Sequence, residues 1–248
     1  MEVIASPFRN MPNSKQLQNY PEDAQGFGYQ PEWGLYTSSF VFRGDFTDDL
    51  KLLQDKYGYK PLQVTQQFDN QVTDRNLGTI ITSVAFRSSD GTPHTHRHPG
   101  DIDETPELFQ YTPAYYDMTT IRKIIDWFGD SVCRCRIFRQ EPGKDLPMHY
   151  DFDNERNSFD NSNQTLRVLM QLTPNTDNWM RFMSKTSDIT LRPAAGQAII
   201  FNADWVWHGT VNYVDTPRDC LMLILKDQNF AMNLGKRFPS HKIEFIDV

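Results

Sequence analysis

No run of about eighteen apolar residues occurs in this sequence, and residues 1–10 show no basic segment followed by an apolar one. The first absence excludes a helical membrane span and the second leaves no secretory leader to read. Basic charge is also in deficit: 25 Lys and Arg against 32 Asp and Glu give a formal net charge of −7. Binding to a phosphate backbone depends on Lys and Arg, so nucleic acid is not the expected partner. Cysteine is scarce and odd in number, at Cys133, Cys135 and Cys220. The first two fall too close on one strand face for an ordinary disulfide, and no second pair completes a four-thiolate metal site. Buried strand cysteines in a reducing cytoplasm are expected. The sequon Asn163-Gln164-Thr165 matters only in a secreted protein and reads as chance. Low-complexity tracts and fixed-period repeats are absent too.

What is present suffices for one large domain: 248 residues, 38% of them hydrophobic. Residues 1–115 read as an N-terminal covering and support region. Gln, Asn and aromatics abound in its first part, which Pro12, Pro21, Pro31 and Gly34 punctuate. One helix is expected over Thr47–Tyr57, with Thr47 as cap, Asp48 and Asp49 suited to the positive helix start, and Gly58 as stop. Another is expected over Thr120–Phe128, with Ile121, Ile124, Ile125 and Phe128 on one stripe and Gly129 at its end. The remainder predicts short strands over 62–68, 79–86, 132–140, 165–172, 179–183, 189–192, 197–201, 206–211 and 221–225. Turn chemistry such as Ser89-Asp90-Gly91, Pro142-Gly143 and Asn175-Thr176-Asp177-Asn178 separates them. Many short strands with few helices between them favour a jelly roll or sandwich over a parallel α/β sheet. The expected fold is mainly β, a double-stranded β-helix (jelly roll, cupin-like) with supporting α-helices outside, its core at 132–226.

On an extended segment residues two apart point the same way, so His149-Tyr150-Asp151 offers one imidazole and one carboxylate to a common interior. Alone the pair is weak, since a chain of this composition yields about half of one by chance. His208 adds a second imidazole from a strand-like run introduced by Ala195-Gly196. Two imidazoles and one carboxylate leave three positions of an octahedral ion open, the facial triad of non-haem Fe(II) oxygenases. In such enzymes an oxo acid takes two of those positions and O₂ the third, and the acid's distal carboxylate needs a fixed cation. Arg218, beyond the turn Asp215-Thr216-Pro217, returns toward the metal strand, and its planar fork suits a carboxylate.

The stretch 136–225 resembles the aspartyl/asparaginyl β-hydroxylase-like branch of the 2-oxoglutarate oxygenases, which includes the bacterial proline hydroxylases. The resemblance lies in Pro142-Gly143 before His149-x-Asp151, the run 166–172, Gly196-Gln197-Ala198-Ile199-Ile200-Phe201, His208 with Asn212, and Arg218. It implies that His149, Asp151 and His208 bind Fe(II), that Arg218 holds the distal carboxylate of 2-oxoglutarate, and that Arg167 holds a carboxylate of cosubstrate or substrate. It also implies oxidative decarboxylation of 2-oxoglutarate with O₂ to succinate and CO₂, coupled to hydroxylation of an unactivated C–H bond. The branch often has a histidine two residues beyond that arginine, where this chain has Leu169. The retained Asp151 favours hydroxylation over halogenation, because related halogenases replace that carboxylate to admit chloride.

Other readings stay open. His149 and Asp151 can be a polar pair capping the turn after Pro147, His208 a core histidine among Trp205 and Trp207, Arg218 a strand-end surface arginine. His94, His96 and His98 lie between Ser89-Asp90-Gly91 and Pro99-Gly100 and read as an exposed loop or lid rather than the metal site. Arg134 and Arg136 share one face of their strand and Arg139 the other; should the pair point inward, a substrate carboxylate or phosphate is favoured. Trp179, Trp205 and Trp207 are core or pocket walls. The expected substrate is a small molecule, an amino acid or a relative. The alternatives are a protein side chain, a non-catalytic cupin-like binding protein, and a His₂Asp zinc hydrolase.

Overall fold

A computed structural model describes residues 35–61, 81–94, 106–149, 166–173, 178–183, 188–191, 193–201, 207–225 and 244–248. In chain order it contains β1 (Leu35–Arg43), α1 (Thr47–Leu52), β2 (Lys60–Pro61), β3 (Ile81–Ser88), β4 (Gln110–Tyr111), α2 (Pro113–Asp117) and α3 (Thr120–Phe128). The strands of the second half follow: β5 (Val132–Gln140), β6 (Asp145–His149), β7 (Leu166–Gln171), β8 (Asn178–Met183), β9 (Asp188–Leu191), β10 (Gln197–Phe201), β11 (Trp207–Asn212), β12 (Arg218–Leu225) and β13 (Glu244–Asp247). Among the described residues no helix is long and apolar enough to cross a membrane.

Strands β5 to β12 pair first with last, second with next to last, and so inward: β5 with β12, β6 with β11, β7 with β10, β8 with β9, all antiparallel. Such nesting is a long hairpin folded over on itself. The ladders β12–β7 and β11–β8 join its turns into two sheets. The larger is nine-stranded, in the order β13-β1-β10-β7-β12-β5-β3-β2 with β4 beside β3; the smaller runs β6-β11-β8-β9. This is the expected double-stranded β-helix.

The larger sheet is covered on both faces, which is why β12 is buried at every position and reads as a nearly continuous apolar run. On the outer face Val84, Ile137, Met170, Leu221 and Leu223 pack under Leu53 of the turns after α1 and under Ile121, Ile124, Ile125 and Phe128 of α3. On the inner face Leu169, Ile199, Phe201, Met222 and Ile224 meet Met180 and Phe182 of β8. Burial of each such side chain contributes about 1.5–3 kcal/mol.

Helix α3 has the expected bounds and ends at Gly129, whose φ of 61° is a conformation few other residues adopt. The first helix departs from expectation in two ways. Its second half, Leu53–Tyr57, widens to π turns before Gly58, and Thr47 does not cap it: the Asp45 carboxylate accepts from the Thr47 amide at 2.9 Å. Asp49 serves neither that start nor its own helix. Buried, it accepts from the amides of Thr119, Thr120 and Ile121 at 3.0, 2.9 and 2.7 Å and so caps α3 from another element.

The expectation that Cys133 and Cys135 share a strand face is overturned. The register between β12 and β5 shifts between Ile224 and Leu225. Cys133 therefore joins the inner cluster and Cys135 the outer one. All three cysteines are buried and free. The expected strand over 62–68 lies outside the described residues, and β1, β2, β4, β6 and β13 went unpredicted; β1 enters the larger sheet against β10, and β13 pairs with it in parallel. Gly196 marks the crossing, since a Cβ there would stand 1.9 Å from the Phe42 carbonyl oxygen.

Candidate functional site

The site is built on the smaller sheet. In the β11–β6 ladder His208 is the Cα partner of His149, and directly opposed positions of an antiparallel pair belong to one face. On its other side His208 is opposite Phe182, a member of the inner cluster. The His208 side chain is 3% exposed, and its ring lies 4.8 Å from that of Phe201. His149 closes β6; its side chain, and the whole of Asp151, lie outside the described residues.

Arg218 opens β12, 3% exposed, opposite Gln140 of β5. Its Nη1 donates to Gln140 Oε1 at 3.1 Å, and Thr210 Oγ1 donates to the same oxygen at 3.0 Å. Gln140 thus joins the arginine to β11 at the residue two beyond His208 on the same face. Among the described residues Arg218 Nε has no hydrogen-bond partner. Burial draws its guanidinium down from the usual range, with the Cys220 thiol acting in the other direction. It remains a cation at neutral pH.

Asn212 fixes this corner. Its amide nitrogen donates to the Gln140 and Thr216 carbonyls, each at 3.0 Å. Its backbone carbonyl accepts from Gly143 at 2.8 Å, and its backbone N–H donates to the Lys144 carbonyl at 3.2 Å. One residue therefore ties the turn before β6 to the turn before β12, so that histidine strand and arginine strand hold a common position.

Arg167 lies on β7, partner to Phe201 on one side and Ile224 on the other, and is half-buried. Arg134 and Arg136 fall on the face of β5 that carries Phe138, the inner one; both are buried, and Arg139 takes the opposite face. His94 is exposed on the turn after β3, while His96 and His98 lie outside the described residues. Trp179 stands on β8 and Trp207 on β11, their side chains outside the described residues, as is Trp205. Among the described residues no three His, Cys, Asp or Glu side chains gather in one place. Sequence reasoning missed Gln140 and Thr210. The period of two that groups Arg134, Arg136 and Phe138 includes Gln140 and could have found it.

These residues fit the implied groups. A buried imidazole stands opposite a second histidine position, with a carboxylate residue two further along the chain, and suits an Fe(II) ion. A buried arginine with an unbonded Nε suits the far end of a dicarboxylate.

No protein-family model matches the sequence, and no curated protein matches it. Solved structures similar to the chain include an oxidoreductase of the 2OG-Fe(II) oxygenase family from Burkholderia pseudomallei, 14% identical, with a TM-score of 0.43 over 73% of this chain and 77% of that one. A Pseudomonas putida prolyl-4-hydroxylase is similar at 16% identity and a TM-score of 0.44, over 85% and 99% of the two chains. A non-heme alpha-ketoglutarate-dependent carbocyclase from nogalamycin biosynthesis is similar at 14% identity and a TM-score of 0.46, over 85% of each.

Proposed function

We propose that this protein is an Fe(II)- and 2-oxoglutarate-dependent dioxygenase that hydroxylates an unactivated C–H bond of an amino acid or related small molecule, releasing succinate and CO₂. The observation that carries the proposal is the β6–β11 register, which opposes His149 and His208 on one face of the smaller sheet. Asp151, two residues beyond His149, completes the ligand set. The bound iron and cosubstrate supply the O₂ chemistry. The chain's own residues bind, orient and exclude water. His208 is held against Phe201 in a dry space between sheets, so its ring keeps one orientation. Arg218 takes the distal carboxylate of 2-oxoglutarate, with Gln140 aiming the guanidinium. Arg167 serves a carboxylate of cosubstrate or substrate. Phe182, Phe201 and Met180 keep water from the reacting face.

Anaerobic addition of Fe(II) and 2-oxoglutarate is expected to give a broad metal-to-ligand charge-transfer band in visible light, lost in His208→Ala. A protein that binds the metal without the band, or hydrolyses a substrate with neither O₂ nor 2-oxoglutarate, would be a cupin-like binding protein or a zinc hydrolase instead.

A further inference from the structure

Arg136 has no part in that mechanism, yet it stands mid-strand in β5 with 1% of its surface exposed, the largest fully buried side chain among the described residues. Among those residues its Nε and Nη2 have no hydrogen-bond partner, and its guanidinium carbon lies 5.6 Å from the centre of the Phe138 ring. An unbonded buried cation is costly unless something neutralises it. Burial, together with repulsion from Arg167, draws the Arg136 guanidinium down to about 9, still protonated at neutral pH.

The same strand shows what a structural arginine receives. Arg139, on the other face, meets both oxygens of Asp219 through Nε and Nη2, each at 2.8 Å. Asp49, the other buried carboxylate among the described residues, is committed to the start of α3. Neither faces Arg136.

We infer that Arg136 binds a carboxylate of the substrate, at a second anion position on the inner face distinct from that at Arg218. The two positions lie in different rows: Gln140, partner of Arg218, is separated from Arg136 along β5 by roughly 13 Å at about 3.3 Å per residue. A carboxylate is favoured over a phosphate because the backbone here lies between two ladders, with β12 and β3. The amides are spent, and planar guanidinium forks are left to donate. That the carboxylate belongs to a substrate rests on the oxygenase reading; the anion position does not.

The test is thermal unfolding of the metal-free full chain with formate, acetate and benzoate, each against its neutral amide. The acids are expected to raise the Tm by a few degrees and the amides to leave it unchanged. Some rise should remain in Arg218→Ala, and Arg136→Met should show a clearly smaller rise than the parent. Arg136→Lys, which keeps the charge and loses the fork, should retain part of the rise. A rise undiminished in Arg136→Met, or none with any of the acids, overturns the inference. If Arg136→Met does not fold, Arg136→Lys decides: a full rise overturns the site and a reduced one supports it. Failure of the oxygenase reading would show separately, as a missing charge-transfer band with the acid effect intact.

Discussion

The two faces of the larger sheet use the same strands for opposite ends. Outward, Ile137, Leu221 and Leu223 alternate into a dry layer under α3, and the charges present are matched, Asp49 by three backbone amides and Asp219 by Arg139. Inward, the intervening positions of those strands carry Arg134, Arg136, Gln140 and Arg218 among phenylalanines and methionines. One side is closed in on itself, and the other presents guanidinium nitrogens of Arg136 and Arg218 that have no hydrogen-bond partner among the described residues. Stability resides on the first, and the proposed function assigns recognition to the second.

That contrast can be broken by substitution. The largest effect on activity is expected inward, in Arg218→Ala. Removing the arginine partner of a buried carboxylate costs about 2 kcal/mol or more, so the 2-oxoglutarate requirement should rise at least ~30-fold, measured as succinate formation against cosubstrate concentration. Stability should stay close to the parent's.

Outward, Arg139→Ala strands the Asp219 carboxylate, whose side chain is 3% exposed. A loss of about 3 kcal/mol in urea unfolding is expected, the lower end of the range for breaking a buried pair. Ile124→Ala empties a fully buried site under α3 and should cost about 2–4 kcal/mol in the same assay, with cosubstrate dependence unchanged. The smallest effect is expected at the sheet edge: Arg43 and Asp247 bond at 2.9 Å with side chains 55% and 78% exposed. Arg43→Ala should shift stability by under ~1 kcal/mol, and less still in high salt.

Legibility in the sequence followed the range of the interactions. Helix α3 and strand β5 were readable to the residue because apolar period, glycine stop and turn chemistry all lie within a few positions of each other. The jelly roll was readable from strand length and the shortage of crossover helices. His208, Arg218 and the inward pair Arg134 and Arg136 were readable as candidates. The pairing that opposes His149 and His208 was not, because a register is a relation between distant segments. Asp49 looked like a residue for its own helix start, and nothing local discloses a second helix that needs it more. Cys133 and Cys135 obeyed the period of two until a bulge, a property of the partner strand as much as of their own, parted them. Strands β1 and β13 owe their place to each other and to β10.

Nesting of first strand with last also governs when the site can exist during synthesis. His149 leaves the ribosome early, but the strand opposite it comes late, and the cation that completes the corner belongs to β12, last of the eight nested strands. A nascent chain that has not yet released Leu225 has no closed sheet and no Gln140–Arg218 contact. Pairings of such long sequence separation form slowly, and domains whose contacts are non-local expose unpaired strand edges while they wait. Under the proposed function, metal capture would therefore await the release of β12, and a truncation that removes β12 should yield an aggregating chain.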